Sequence, residues 1–288
     1  MKADLHIHTK YSFDGEASVD EIFTMAKSQG IDCIALTDHN DVRANIEAQR
    51  YDSLKWIAGI EVDCYFKSGI VHIVGLGIDF QAPIYRTIAS NYINELQRIM
   101  DIRVHVFNRI FGLKMTLDQI QKVNPKSLIT NVEMTRFMFE NFPDHPQFRP
   151  YLNEKGTTNP LADFYWDYCA IGKPAYVKMI LPDASDVTHY IHQTKGIAIL
   201  AHPLISVSSL ADVQQLHGLD GIEAYCSYHD PQQCENVRQF AKDQGLLISA
   251  GSDFHGKNKP AIQLGDTHDP AQSDVWLARI LEAIASKR

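Results

Sequence analysis

The sequence predicts an α/β protein built on a parallel sheet and carrying a helical insertion. Three observations lead there. Short apolar runs alternate with amphipathic helical patterns at both ends of the chain. Between about residues 84 and 170 that alternation stops, and helical text broken by Pro143, Pro146, Pro150 and Pro160 replaces it. Imidazoles and carboxylates collect where the apolar runs end. β/α alternation implies parallel strands, arranged as an open doubly wound sheet or as a barrel.

In order, residues 3–7 (ADLHI) read as a strand. Residues 18–29 read as a helix, opened by the capping box Ser18/Glu21 and closed by Gly30. Residues 31–37 (IDCIALT) form a buried type of strand, and a polar helix over about 41–51 follows. Residues 56–62 (WIAGIEV) and 70–76 (IVHIVGL) are two further strands. After the insertion come a helix over about 185–195, strand 197–201, a short helix, and strand 220–225. A helix with Pro231 at its first position, strand 246–251 and an amphipathic helix from Ser273 complete the chain. The domain expectation is a body made of residues 1–80 and 171–288, with 81–170 as an inserted helical subdomain that caps the substrate.

At roughly 150 residues per domain, 288 residues suit two domains, or one large barrel with an insertion. Apolar residues at 45% and charged residues at 22% exclude a disordered or fibrous chain. The balance of 27 basic against 35 acidic residues gives −8, and no Lys/Arg cluster offers a face for duplex nucleic acid. No run approaches 18 apolar residues, so no membrane partner is expected. The five cysteines are odd in number, scattered and never spaced C-x-x-C. With no apolar leader after Met1, they read as free thiols in a reducing compartment, and the expected location is the cytoplasm.

The 13 histidines stand out. His6 and His8 close the first strand, Asp38 and His39 the second, and Glu61 the third. His72 lies in the fourth strand and His202 follows the fifth. Glu223 is on the sixth, with His229 beyond it, and Asp253 and His255 follow the seventh. Taken singly, each has an ordinary reading: His72 as a core histidine, Asp38 as a helix cap, Asp253 as a turn residue. Together they gather at the strand ends where βα loops build active sites. Burying so many polar groups costs several kcal/mol unless something satisfies them, and divalent metal does so.

These segments, Asp4-Leu5-His6-Ile7-His8-Thr9, Thr37-Asp38-His39-Asn40-Asp41, Gly59-Ile60-Glu61-Val62, Val71-His72-Ile73-Val74-Gly75-Leu76-Gly77, Ala201-His202-Pro203 and Gly251-Ser252-Asp253-Phe254-His255, resemble in order the motifs of the PHP (polymerase and histidinol phosphatase) superfamily. The resemblance spans the chain. It is closest to the bacterial branch that hydrolyses 3′,5′-nucleoside bisphosphates such as pAp, some members of which trim RNA 5′ ends. It implies a distorted (β/α)7 TIM-like barrel with an inserted helical subdomain and two to three divalent metal ions. By resemblance, His6, His8, Glu61 and Asp253 hold one metal. Glu61 bridges to a second, held also by His72 and His202. Asp14, His39 and His255 hold the third. Asp14 stands one residue later than the loop of close relatives implies. Imidazole and carboxylate donors without thiolate suit Mn, Zn or Fe, and the family favours Mn.

The chemistry this implies is phosphate-ester hydrolysis by in-line attack of a metal-bridging hydroxide, with Glu61 central and Asp38 orienting an imidazole from behind. Arg103, Arg136 and His229 are the expected substrate contacts, and the metals' positive charge lets an acidic chain hold a phosphorylated substrate. One departure stands out: close bisphosphatases carry Arg-x-His-Phe where this chain has Asn131-Val132-Glu133-Met134. The expected partners are a small phosphorylated metabolite or short single-stranded nucleic acid. No protein partner can be inferred. Two other readings are a 5′→3′ exonuclease and a non-catalytic metal-binding domain; the latter would have lost ligand positions, and every one here is filled.

Overall fold

The computed structural model describes residues 1–123, 128–154, 159–269 and 273–287. The chain divides into two units: residues 1–89, 181–257 and 262–288 form one, and 90–180 with 258–261 the other. The second unit begins nine residues and ends ten residues later than the 81–170 read from the sequence. The helix Pro83–Phe111 runs unbroken across its start.

In the first unit, β1 (Ala3–Ile7) is followed by α1 (Val19–Ser28), β2 (Cys33–Leu36) and α2 (Arg43–Ala48). β3 (Lys55–Phe66) and β4 (Gly69–Leu76) come next, and α3 (Pro83–Phe111) leads into the second unit. There α4 (Leu117–Val123), α5 (Asn131–Asn141) and α6 (Pro160–Phe164) follow. The chain returns with α7 (Ala184–Gln193), β5 (Ile197–Leu200), α8 (Pro203–Ser206) and α9 (Leu210–Val213). β6 (Gly221–Cys226), α10 (Pro231–Gln244), β7 (Leu247–Gly251) and α11 (Ser273–Ser286) end it.

Local chemistry explains the helix ends. α1 has the Ser18/Glu21 capping box, with each side chain meeting the other's backbone N–H. α10 starts with Pro231 at N1 behind the Asp230 cap and ends at Gly245, φ 68°.

Among the described residues, seven strands form one sheet in the order β1 to β7. The β1–β2, β2–β3, β5–β6 and β6–β7 pairs are parallel. β4 corrects the parallel expectation: it runs antiparallel to both β3 and β5. β3 continues four residues beyond the predicted Val62 and turns at Lys67 and Ser68. So short a link cannot hold the crossover that a parallel pair requires, so the two strands form a hairpin. The sheet closes into a nearly complete barrel where Ile7 bridges Phe254. Asp253 N–H donates to His6 O at 2.9 Å and His8 N–H to Phe254 O at 3.0 Å.

The period of two along β1 separates its faces. One apolar core joins the strands to α7, α10 and α11 through Val187, Ile191, Val237, Trp276, Leu277 and Ile280. A second packs Val19, Ile22, Phe23 and Ala26 of α1 against Ile7, Ile34 and Leu36. The helical unit has its own core, rich in aromatics: Phe107, Phe111, Phe139, Phe148, Tyr151 and Phe164. That separate apolar core lets 90–180 hold together as a unit of its own.

Candidate metal centre

Glu61, fully buried on β3, is the centre of the cluster. Its Oε2 lies 3.2 Å from His6 Nε2, 3.1 Å from His8 Nε2 and 3.2 Å from His39 Nδ1. Its Oε1 lies 3.1 Å from His72 Nδ1 and 3.3 Å from His202 Nε2. Asp253 Oδ1 is 3.4 Å from His6 Nε2 and 3.0 Å from His8 Nε2. Asp14 Oδ2 is 3.2 Å from His255 Nε2 and 3.9 Å from His39 Nε2. All nine residues expected from the sequence to be ligands therefore meet within the barrel unit.

Backbone geometry makes this convergence possible. A Cβ on Gly251 would stand 2.1 Å from His6 Cβ, so glycine lets β7 close against β1 at the cluster. A Cβ on Gly15 would stand 1.9 Å from Thr9 O, so the loop carrying Asp14 folds back only with glycine there. Asn40, His202 and Asp253 hold positive φ angles of 54°, 26° and 58°. Left-handed backbone in residues with a Cβ is strained and tends to gather at functional sites.

A second layer of partners aims the rings. His6 Nδ1 meets Glu223 Oε1 at 3.1 Å, and His8 Nδ1 meets Ser12 Oγ at 2.8 Å. His202 Nδ1 meets Ser206 Oγ at 2.8 Å, and His255 Nδ1 meets Asp253 O at 2.8 Å. In each, Nδ1 is occupied from outside and Nε2 turns inward, as in metal-ligating histidines. His72 is reversed: its Nδ1 faces Glu61, and its side chain is 28% exposed. Glu223 Oε2 also accepts from His202 N–H at 2.8 Å, and the Tyr228 hydroxyl donates to Asp253 Oδ2.

Asp38 acts further back than expected. Its carboxylate accepts from the N–H groups of Thr9 (2.6 Å) and Ser12 (3.1 Å) and from Thr9 Oγ1 (2.8 Å). It holds the loop that carries Ser12, and Ser12 in turn meets His8. Sequence reasoning passed over Glu223, Ser12, Ser206 and Asp63 as orienting groups. For Asp63 a signal existed, since it stands two residues after Glu61 and so shares its strand face.

The protonation balance is that of packed acceptors. Burial opposes the charged form of His6, yet Glu61, Glu223 and Asp253 lift its pKa well above the usual value. His39 likewise rises, against burial, to about 10 beside Glu61, Asp63 and Asp14. His8 and His202 fall, first through burial and then through neighbouring histidines. Burial would raise Glu61 and Asp14, but the surrounding imidazoles hold both below the ordinary carboxylate range.

The donors fit divalent metal. Glu61 Oε2 and His255 Nε2 are buried without a hydrogen-bond partner. Among the described residues, ligand atoms within 4.8 Å of one another form three sets: His6/His8/Glu61/Asp253, His8/Asp14/His39/His255 and His39/Glu61/His72. The third set has His39 where His202 was expected beside Glu61 and His72. No thiolate belongs to any set, and the five cysteines are all free and buried.

The expected substrate residues belong to both units, His229 to the first and Arg103 and Arg136 to the second. His229 is buried, with Nδ1 3.2 Å from Ala224 O and Nε2 without a partner. In the helical unit Arg103 is buried, with Nη1 donating to Ile129 O at 3.3 Å, Nη2 3.5 Å from Met179 Sδ, and Nε unpartnered. Arg136 donates to Asn258 Oδ1 within the same unit. Glu133 caps α5: it accepts from Thr130 N–H at 3.0 Å and from the Thr130 hydroxyl. No described helix is long and apolar enough to cross a membrane.

Comparison with known proteins agrees with this geometry. A PHP domain model matches residues 4–121. A 3′,5′-nucleoside bisphosphate phosphatase of Chromobacterium violaceum is 27% identical over 97% of this chain and 96% of its own. A 5′-3′ exoribonuclease of Haemophilus influenzae is 27% identical over 88% of this chain and 90% of its own. The solved structure of an amidohydrolase from Chromobacterium violaceum, with bound sulfate and no metal, has a TM-score of 0.76 at 25% identity and covers 99% of this chain and 97% of its own. With the ordered motifs, the seven-stranded barrel and the histidine–carboxylate cluster, these matches show a PHP-type domain at residues 4–121 and a chain similar along its length to phosphoester hydrolases.

Proposed function

We propose that this protein hydrolyses a phosphate monoester of a small phosphorylated metabolite, a nucleotide such as a 3′,5′-nucleoside bisphosphate, using two to three divalent ions, manganese foremost and zinc or iron as alternatives. The carrying observation is Glu61, whose two oxygens face separate groups of imidazoles. Such a carboxylate suits two adjoining ions. His6, His8 and Asp253 would complete one site, His72 and His202 a second, and Asp14, His39 and His255 a third. Bound there, the ions would supply Lewis acidity and an activated water.

The chain's own residues supply positioning and charge. Tyr228, donating to Asp253 Oδ2, leaves Oδ1 turned toward His6 and His8. Glu223 fixes the His6 ring and the His202 backbone together. His229 Nε2, buried with no protein partner, is the observation that supports its assignment as a substrate contact. Phosphoryl transfer needs positioning and neutralised charge more than a covalent nucleophile. We assign substrate selection to the helical unit through Arg103 and Arg136. The free, buried cysteines accord with a reducing, cytoplasmic setting.

A second reading, 5′→3′ trimming of short RNA or DNA, is favoured by the end-to-end likeness to an exoribonuclease. Glu133 also favours it: the residue standing where bisphosphatases carry histidine is spent on a helix cap. The deciding experiment measures phosphate release by the manganese-loaded protein from pAp, mononucleotides and histidinol phosphate, and release of mononucleotides from a 5′-phosphorylated oligonucleotide. Release from pAp or a mononucleotide supports the main reading. Turnover of the oligonucleotide alone selects the second, and full activity in EDTA overturns both.

A further inference from the structure

His39 is placed between two donor sets. Its Nε2 faces Asp14, with His255 beside it, while its Nδ1 lies 3.2 Å from Glu61 Oε2. An imidazole binds metal through either nitrogen, and the hydrogen bond at the other nitrogen decides which. Asp63 supplies that bond. Its Oδ1 is 2.8 Å from His39 Nδ1, nearer than Glu61.

Asp63 is held firmly. It is buried, pairs with His72 across the β3–β4 hairpin, and its N–H donates to Asn40 Oδ1 at 3.3 Å. The same carboxylate oxygen lies 3.7 Å from His72 Nε2, on the side of that ring away from Glu61. His6, His8, His202 and His255 already show Nδ1 tied outward and Nε2 turned in. With Asp63 on its Nδ1, His39 joins them.

We propose that Asp63 is a positioning residue that holds His39 as its Nδ1–H tautomer, commits Nε2 to the set of Asp14 and His255, and leaves Glu61 and His72 to be completed by His202. This rests on the metal reading above. It resolves the one point where donor distances alone set His39 in place of His202.

NMR of the cadmium-loaded protein with nitrogen-labelled histidine tests it, together with calorimetric titration of metal into the apoprotein. Cadmium coupling should appear at His39 Nε2, and Nδ1 should carry a proton. Asp63→Asn keeps an acceptor oxygen and should preserve both signals. Asp63→Ala should lose or move the His39 coupling and weaken one ion by about 10- to 100-fold while the others stay bound. Coupling at His39 Nδ1 in the unaltered protein would overturn the assignment. So would unchanged coupling and affinities in Asp63→Ala, or equal loss of every ion in the Ala and Asn variants. A protein that takes up no cadmium, manganese or zinc would instead overturn the metal reading itself, and this assignment with it.

Discussion

Ser252 reaches across the barrel seam to Asp4, donating its N–H to Oδ1 at 2.9 Å and its hydroxyl to Oδ2 at 2.6 Å. Gly265 N–H adds a third bond to Oδ2 at 2.7 Å. The buried Asp4 carboxylate therefore pins β1 to the segment that delivers Asp253. Asp4→Ala would strand the buried N–H of Ser252 and the half-buried N–H of Gly265, costing about 1–3 kcal/mol for the buried one and less for the other. Thermal unfolding of the metal-free variant should fall by roughly 5–15 °C. An unchanged midpoint would mean that the seam holds without Asp4.

Glu61→Gln should remove metal and turnover together. One oxygen of the carboxylate is replaced by an NH2 donor, which cannot face a cation, and Glu61 is the group that both halves of the cluster share. Elemental analysis should show fewer ions per chain than in the unaltered protein, and kcat should fall at least about 100-fold. Full metal content with unchanged kcat would exclude Glu61 as the shared ligand.

Above about pH 6.5 stability should respond to pH differently in the two forms of the protein. Without metal, His39 titrates at about 10 and His6 above its usual value, so the folded state holds more protons than the unfolded state above about pH 6.5. That contribution is complete below the unfolded value and is lost as pH rises toward 10. With metal bound, the ligating imidazoles are unprotonated when folded, so stability falls instead as pH drops below about 6.5. Urea unfolding at several pH values, with and without chelator, reads both slopes. A loss of stability between about pH 6.5 and 10 that is as steep in the metal-bound form as in the metal-free form would contradict metal ligation by His39 and His6.

Much of this site was legible because strand ends announce themselves. His6, His8, Glu61 and Asp253 each follow an apolar run, and a barrel brings such ends together. The direction of β4 was legible too: predicted strands ending at Val62 and starting at Ile70 leave too few residues for a crossover. So was the role of Glu133, since Thr130 and Glu133 have the spacing of a capping box. Ser12, Ser206 and Tyr228 were not, because loop geometry alone sets their aim and no periodicity marks a loop. The unit boundary was hidden for another reason. α3 is one continuous helix, and the change of partners at Ser90 leaves no break in its pattern.

Arg136 gives the sharpest test of substrate class. It sits on α5, whose first turn has Asn131 and Glu133 in place of the arginine and histidine of close bisphosphatases. If Arg136 carries a second phosphate, Arg136→Ala removes one charge-assisted contact, about 1.5–3 kcal/mol. KM for pAp should then rise roughly 10- to 150-fold with kcat little changed. KM for an aryl phosphate should stay within about twofold, because that substrate has no second phosphate to hold. Equal losses on both would mean that Arg136 acts at the reacting phosphate or through its bond to Asn258. No loss on either would make its role structural. Glu133, a carboxylate already engaged at the helix cap, would then mark a substrate with a single phosphate.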